Sequence, residues 1–252
     1  MGFPIVPGCG KVTRRHLLAY QAGAALITFV RGRNMFSRDN LLPITEALDH
    51  LLLGTSDLDQ GILLVKEMTG LTPGMGGSHP GVGTRNALLS LGKQYLEIIA
   101  PDPAQVSFSY RTDLRKLGEP RLIAWAALSR NIDAAALKAR GAGMEVFGPS
   151  DGSRKKPDGK ILTWRVLGIQ NSLGNSTVDP VPFFIQWGEG VPHPSQDSVT
   201  DCRLESLGFE HPEPEKLRAL LRKLGFNADV KRAAAARLTA SIRTPKGLWT
   251  LS

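Results

Sequence analysis

Short apolar runs alternate with amphipathic segments along most of the chain, and glycine or proline separates them. The clearest run is Leu48–Leu53, which a polar turn and a stretch of helically spaced apolar residues follow up to Gly70. Asp57 stands at the position of a helix N-cap, and Gly70 stands where the helix would end. The pattern therefore predicts a strand followed by a helix.

Two further apolar runs follow a glycine-rich stretch. Asn86–Leu91 and Tyr95–Ala100 lie on either side of Gly92, a spacing that is typical of a tight hairpin. The residues before them, Gly76–Gly83, are rich in glycine and contain a proline, which predicts a loop. The first part of the folded chain thus reads strand, helix, loop, strand, strand.

A weak internal repeat carries this order further along the chain. Three segments each run from an apolar strand through a polar helix start into an amphipathic helix, which ends at Gly70, Gly141 or Gly225. Such repetition is typical of duplicated supersecondary modules. We therefore divide the folded part into three modules, at about residues 46–103, 119–188 and 201–252.

The later strands of the second module are less regular. Glu145–Phe147 predicts a short strand, Gly148–Gly159 a loop, Lys160–Ile169 an alternating strand with one apolar face, and Pro182–Trp187 a last strand. In the third module the same rules predict one helix and two strands, at Glu213–Leu224, Arg237–Arg243 and Leu248–Leu251.

Composition places the chain among ordinary globular proteins, with 42% hydrophobic and 21% charged residues in 252. The net charge of +8 resides at the two ends: residues 1–45 carry +5, residues 222–252 carry +6, and the body between them carries −3. The body has no basic stripe with interleaved aromatic residues, so nucleic acid is not an expected partner. Cys9 and Cys202 are too few for a disulfide framework or a thiolate metal cluster.

Residues 1–45 form a basic leader. Arg14 and Arg15 followed by the moderately apolar Ala19–Val30 resemble a twin-arginine export signal, but no small-residue cleavage site follows. We favour a poorly ordered leader, with Met35 as an alternative start, and expect a cytoplasmic protein; export through the leader is the alternative. The apolar segment is shorter than the ~20 residues that a membrane span needs, so no membrane span is expected.

Several linked motifs of the chain resemble one known family. They are LDHLLLG from Leu48, SHPGVGTRN from Ser78, YLEIIAPDP from Tyr95, and PFFIQWG followed by His193-Pro194-Ser195. Together they resemble glyoxalase-like domain proteins of the vicinal oxygen chelate superfamily, which also includes bleomycin resistance proteins and dioxygenases, over roughly residues 46–225. The resemblance implies an α+β fold, in which repeated βαβββ modules form an incomplete barrel-like sheet around a cavity. A third βα-type unit would follow at the C-terminus.

The resemblance also implies a metal site. In that superfamily, His or Glu side chains on the first and last strands of each module hold one divalent ion, and His50 and Glu97 match those positions in the first module. Imidazole and carboxylate ligands suit Zn, Fe and Mn, and an incomplete ligand shell leaves room for substrate. We therefore expect at most one divalent metal ion, of unassigned identity, at His50 and Glu97.

The second module departs from the ligand pattern. Its first strand offers Ala124 or Trp125 and its last strand Phe184 or Gln186, so that two ligands stand where metalloenzymes use three or four. The candidates that could contact a ligand or complete the metal shell are His79, Asn86, Gln186 and His193. Without a metal, His50 would be a hydrogen-bonded core histidine, and Glu97 would pair with an arginine such as Arg165, because a lone buried carboxylate is costly.

Two functions follow from these residues. The first is a metal-dependent lyase, isomerase or dioxygenase acting on a small organic oxygenate, with the catalytic residues unassigned. The second is a non-catalytic protein of the same fold that binds or sequesters an apolar small molecule, with strand aromatics such as Trp164 and Phe183 walling the pocket. Either function needs a small-molecule ligand, and a homodimer is left open. A scaffolding role through the basic C-terminal tail is a third class.

Overall fold

A computed structural model gives the fold of residues 41–156, 158–175, 177–196 and 201–252. Residues 1–40, which make up most of the expected leader, lie outside the described residues. The elements begin with a two-residue strand β1 (Leu42–Pro43) and a single helical turn α1 (Ile44–Ala47). The described fold thus begins a few residues before the boundary expected at residue 46.

The first βαβββ unit follows the predicted order with one strand added. Its elements are β2 (Leu48–Gly54), α2 (Leu58–Thr69), β3 (Gly74–His79), β4 (Thr84–Ser90) and β5 (Tyr95–Pro101). Asp57 caps α2 by accepting hydrogen bonds from the backbone of Asp59 and Gln60, and Gly70 ends the helix with φ of 79°. Both helix boundaries were readable from the sequence.

The second unit repeats this order. Its elements are β6 (Arg121–Leu128), α3 (Ile132–Gly141), β7 (Val146–Lys155), β8 (Ile161–Ile169) and β9 (Phe183–Trp187). The Asn131 side chain caps α3 by accepting a hydrogen bond from the backbone N–H of Ala134.

The two units share one eight-stranded sheet with the order β3-β4-β5-β2-β6-β9-β8-β7. Within each half the first strand pairs in parallel with the last, β2 with β5 and β6 with β9. The halves join where β2 and β6 run antiparallel. This duplicated, curled sheet confirms the α+β fold expected from the repeat and the motifs.

Two segments predicted as loops are strands at the two edges of this sheet. Gly76–Gly83 contributes to β3, and most of Gly148–Gly159 belongs to β7; the loop predictions were wrong there. Glycine is needed at the edge because a Cβ on Gly77, which has a φ of 146°, would lie 2.7 Å from the backbone oxygen of Lys155 on β7. Gly77 thus reflects the close approach of the two edge strands and not chain reversal.

The side chains of the sheet alternate between two environments. Leu51 and Leu53 point to the outer face, where they join one large apolar cluster with α2, α3 and the C-terminal unit. The other face is concave. One end of the concave side is filled by the connection between the two units, whose Leu114 and Leu117 pack on Leu52 and neighbouring residues.

The C-terminal unit forms a separate sheet with the order β12-β10-β13-β14. Its elements are β10 (Arg203–His211), α4 (Pro214–Leu224), β11 (Phe226–Asn227), β12 (Val230–Arg232), β13 (Arg237–Thr244) and β14 (Gly247–Leu251). Phe209 and Phe226 contact the ring of Trp125, which attaches this unit to the outer face of the large sheet. None of α1 to α4, the helices of the described ranges, has the length and apolar character to cross a bilayer.

Candidate functional site

The concave side of the eight-stranded sheet encloses a cavity of about 1560 Å³. Both halves of the sheet line it, and its polar and aromatic walls include His50, Asn86, Glu97, Trp164, Phe183 and Trp187. A cavity of this size with a few convergent polar groups is typical of small-molecule sites.

A β-bulge in β2 brings two adjacent polar side chains together. Leu48 pairs with Ala127 and His50 with Ala126, so Asp49 is an extra residue in the strand. Adjacent side chains normally point to opposite faces of a strand, but the Asp49 carboxylate here lies 2.6 Å from Nδ1 of His50. The bulge therefore equips a cavity histidine with a buried carboxylate partner.

His50 lies between two carboxylates. Its Nδ1 contacts Asp49, and its Nε2 lies 3.3 Å from Oε2 of Glu97 on β5. Burial disfavours the imidazolium, but the hydrogen bonds and charges of Asp49 and Glu97 outweigh burial and raise the pKa of His50 to about 9. At neutral pH the ring is therefore a cation with both N–H groups directed at carboxylates.

Glu97 is buried and bonded on both oxygens. Asn86 donates from Nδ2 to Oε1 of Glu97 at 2.6 Å, while His50 faces Oε2. Burial alone would raise the pKa of Glu97, but the hydrogen bond and charge of His50, with help from the hydrogen bond of Asn86, lower it to about 2. Glu97 is thus an anion held by its neighbours.

His79 lies at the end of β3, beside Asn86 and Glu97. The amide of Asn86 donates to Nε2 of His79 at 3.2 Å, which leaves Nδ1–H to donate to the Thr84 hydroxyl at 2.8 Å. Burial lowers the pKa of His79, although the nearby carboxylate of Glu97 opposes the effect. The second cavity histidine is therefore uncharged, in contrast to His50.

Asp49 was not expected as a functional residue, although it is the best-bonded carboxylate of the site. Besides His50, it accepts hydrogen bonds at Oδ2 from Trp187 Nε1 at 3.0 Å and from His193 Nε2 at 3.1 Å. Burial would raise its pKa, but the hydrogen bonds of His193 and His50 hold the pKa of Asp49 well below its usual range. The one sequence signal was an aspartate inside the apolar run Leu48–Leu53.

Aromatic rings surround the His50 imidazole. Tyr95 stacks on it with ring centroids 4.6 Å apart, and Phe183 meets it edge-on at 5.6 Å. Trp164 contacts both His79 and Trp187. These rings exclude water from the ion pairs and give the cavity an apolar wall.

The strands of the second half that correspond to β2 and β5, namely β6 and β9, contain no acidic or imidazole side chain. Ala124 lines the cavity, whereas Trp125 and Phe184 point into the core. Gln186 also lines the cavity, but its Oε1 accepts a hydrogen bond from the backbone of Ile132 at 2.7 Å. Its carbonyl oxygen therefore stabilises the start of α3.

The donor set does not fit a resident metal ion. The part of the chain that the structure describes contains no group of three or more His, Cys, Asp or Glu side chains placed to share one. His50 and His79 face different oxygens of Glu97, at 3.3 Å and 3.7 Å, and the N–H of Asn86 lies between His79 and Glu97. Catalytic zinc sites use three protein ligands. The two residues expected here, His50 and Glu97, contact each other as an ion pair.

The residues expected to contact a ligand divide into two groups. His79, Asn86 and Gln186 line the cavity. His193 instead donates a hydrogen bond from Nε2 to the Asp49 carboxylate. Its Nδ1 accepts a hydrogen bond from the hydroxyl of Ser195. The arginine suggested as a partner of Glu97 was wrong: Arg165 pairs with Asp133 and Asp151, and histidines and an amide surround Glu97.

Comparisons with known proteins agree with this architecture. A sequence model described as "Glyoxalase-like domain" matches residues 48–225. No curated protein matches the sequence significantly. A hypothetical protein from Staphylococcus aureus is similar in structure, with a TM-score of 0.63 and 16% identity over 81% of this chain and 98% of that chain. Methylmalonyl-CoA epimerase from Mycobacterium tuberculosis has a TM-score of 0.40 and 18% identity over 59% and 93%.

Proposed function

Because the chain belongs to the glyoxalase-like domain family, we propose that its cavity binds a small organic oxygenate and that His50 and Glu97 transfer a proton on it, as in an isomerase or lyase. The observation that carries the proposal is the buried contact between His50 and Glu97 at the cavity wall. Asp49 accepts a hydrogen bond from the other ring nitrogen of His50, Nδ1, and so fixes the orientation of the ring.

The two side chains suit complementary roles. His50 presents an N–H toward the position of Oε2 of Glu97, and such a donor could stabilise negative charge on a carbonyl oxygen. Glu97 is a carboxylate whose low pKa depends on that same contact. A ligand oxygen that takes the N–H of His50 would therefore also make Glu97 more basic.

The proton movements follow from this exchange of partners. The carbonyl oxygen of the ligand accepts a hydrogen bond from Nε2 of His50, and Glu97 removes a proton from the adjacent carbon, so that the C–H electron pair forms an enolate. Returning the proton to carbon completes an isomerisation; loss of a leaving group from the next carbon completes an elimination. General acid–base steps of this kind contribute about 10²- to 10⁴-fold to rates.

Deuterium exchange tests the proposal without knowledge of the natural substrate. In D₂O, wild-type protein should exchange the proton next to the carbonyl in at least one member of a panel of 2-oxo acids, 2-hydroxy ketones and acyl thioesters, followed by proton NMR. Glu97→Gln should slow exchange by about 100-fold or more. Glu67→Gln, a matched change at an exposed position on α2, should have no effect. A full exchange rate in Glu97→Gln would contradict the proposal.

Metal analysis distinguishes this proposal from a metal-dependent enzyme. Protein purified without chelator and without affinity-tag nickel should contain less than a stoichiometric amount of transition metal, because two protein ligands retain such an ion weakly. Near-stoichiometric metal that is lost in His50→Ala would contradict the metal-free mechanism, because His50 and Glu97 would then be metal ligands. That result would favour a metal-dependent lyase, isomerase or dioxygenase.

Non-catalytic binding is the second candidate, and the aromatic wall favours it. Trp164, Phe183 and Trp187 offer a large apolar surface, and the strands β6 and β9 carry no acidic or imidazole side chain that matches His50 or Glu97. A pure binding protein would take up small apolar ligands with no deuterium exchange in any member of the panel. It would also bind them equally well after Glu97→Gln.

A further inference from the structure

Arg154 is a buried cation with no carboxylate partner. It lies on the edge strand β7 and is the only buried residue of that fully described strand, with 4% of its surface exposed. Its Nη1 donates to the backbone oxygen of Gly76 on β3, and among the described residues no acidic side chain pairs with it. A buried guanidinium that bonds a single neutral oxygen is poorly compensated for its lost hydration.

The other arginines of the cavity differ in this respect. Arg111 pairs with Asp179, and Arg165 forms two hydrogen bonds to Asp133 at 2.7 Å and 2.9 Å. Both are more exposed than Arg154. Within the described part of the chain, Arg154 is thus the cavity arginine whose charge remains available.

Arg154 lies near the acid–base residues. Its hydrogen-bond acceptor, Gly76, packs directly against the Asn86 side chain, which bonds Glu97. Its charge also acts on His79 and Tyr95, and both line the same cavity. Arg154, His50 and Glu97 therefore line one and the same cavity.

We infer that Arg154 binds the carboxylate of the ligand, so that the cavity selects small organic acids. The guanidinium fork matches a carboxylate with two parallel charge-assisted hydrogen bonds. This deepens and rests on the proposed function: the acid group is held at the β3–β7 edge while the reacting carbonyl reaches His50. Arg154 is a specificity-determining residue, and proton transfer stays with His50 and Glu97.

A pair of probes with the same ring system, one a carboxylate and the other a neutral amide, tests this role. Isothermal titration of 2-naphthoate and 2-naphthamide at pH 7.5 should show that wild-type protein binds the acid about tenfold or more tightly than the amide. Arg154→Gln, which removes the charge but keeps a polar side chain, should bind both probes equally and keep the affinity for 2-naphthamide. The matched control Arg165→Gln removes a cavity charge that Asp133 already neutralises, and should keep the preference.

The outcomes separate this inference from the function on which it rests. If wild-type protein binds 2-naphthamide but shows no preference for the acid, or if Arg154→Gln keeps the preference, the role of Arg154 is overturned and the cavity remains a ligand site. If neither probe binds, the ligand site itself is overturned. Should Arg154→Gln fail to fold, Arg154→Lys keeps the charge but loses the fork; a preference reduced several-fold supports the inference, and an unchanged preference contradicts it.

Discussion

At the residue scale, the chemistry of the cavity depends on how Asp49 reaches the ring of His50. Without the bulge in β2, Asp49 would point into the outer core and His50 would have a single carboxylate neighbour. His50 and Glu97 were identified from the sequence because they match the ligand positions of the family that the motifs resemble. Asp49 and Arg154 were not, since a bulge and contacts between distant strands leave no periodic signal in the sequence.

Asn in place of Asp49 should strongly destabilise the fold. The change keeps the shape of the side chain but removes the charge that three donors from His50, Trp187 and His193 surround. Breaking a buried ion pair costs about 3 kcal/mol or more in the free energy of unfolding. Asp59→Asn, at an exposed position of α2, should change it by less than about 0.5 kcal/mol. Urea denaturation measures both; equal stability of the two variants would contradict the buried network.

The raised pKa of His50 predicts a pH dependence of stability. The stabilisation from its charged form is fully present below pH ~6.5, the usual pKa of histidine, and is lost as the pH rises through about 9. The lowered pKa of Glu97 adds stability above pH ~4.5 that is lost as the pH falls through about 2. Stability should therefore be highest between these limits.

The variant His50→Gln isolates the contribution of His50 to the loss of stability at alkaline pH. Between pH 6.5 and 9 the wild-type free energy of unfolding should fall by on the order of 2–3 kcal/mol more than that of His50→Gln. Thermal and urea denaturation across this range measure the difference. Parallel curves for the two proteins would show that His50 is not held as a cation.

At the scale of elements, the strand–helix units were predictable and the edge strands were not. Asp57 and the glycines that end the helices gave the helix positions, because capping is local chemistry. β3 was missed, and only the start of β7 was predicted, because glycines interrupt both strands. Gly77 on β3 is there because it approaches the backbone of Lys155 on β7, a contact between residues far apart in the chain. Local rules cannot distinguish such a glycine from one in a turn.

Ala in place of Gly76 should loosen the edge strand β3. The added Cβ would overlap with Oδ1 of Asn86, so Asn86 or β3 must move. Overpacking of this kind costs about 1–3 kcal/mol. Gly118→Ala is the matched control, since no atom lies within 4 Å of its Cβ position and its φ is ordinary. Hydrogen exchange should become faster in β3 of Gly76→Ala alone; unchanged protection of β3 would contradict the close packing.

At the scale of the whole molecule, duplication produced two similar half-sheets with unequal roles. The first half supplies His50, His79, Asn86 and Glu97, while the second supplies aromatic walls and Arg154. The C-terminal unit packs on the outer face through Phe209 and Phe226, away from the cavity. The family, the repeat and the cavity could be expected from the sequence, but the contacts of His50 with Asp49 and Glu97 required the geometry.

The protonation state of His50 tests the central claim most directly. Nitrogen NMR of histidine-labelled protein, treated with chelator and measured at pH 7.5, should show one ring with both nitrogens protonated, and this signal should be missing in His50→Gln. That result would establish an imidazolium held between Asp49 and Glu97 without a metal. A His50 ring with one unprotonated nitrogen at this pH would contradict the account.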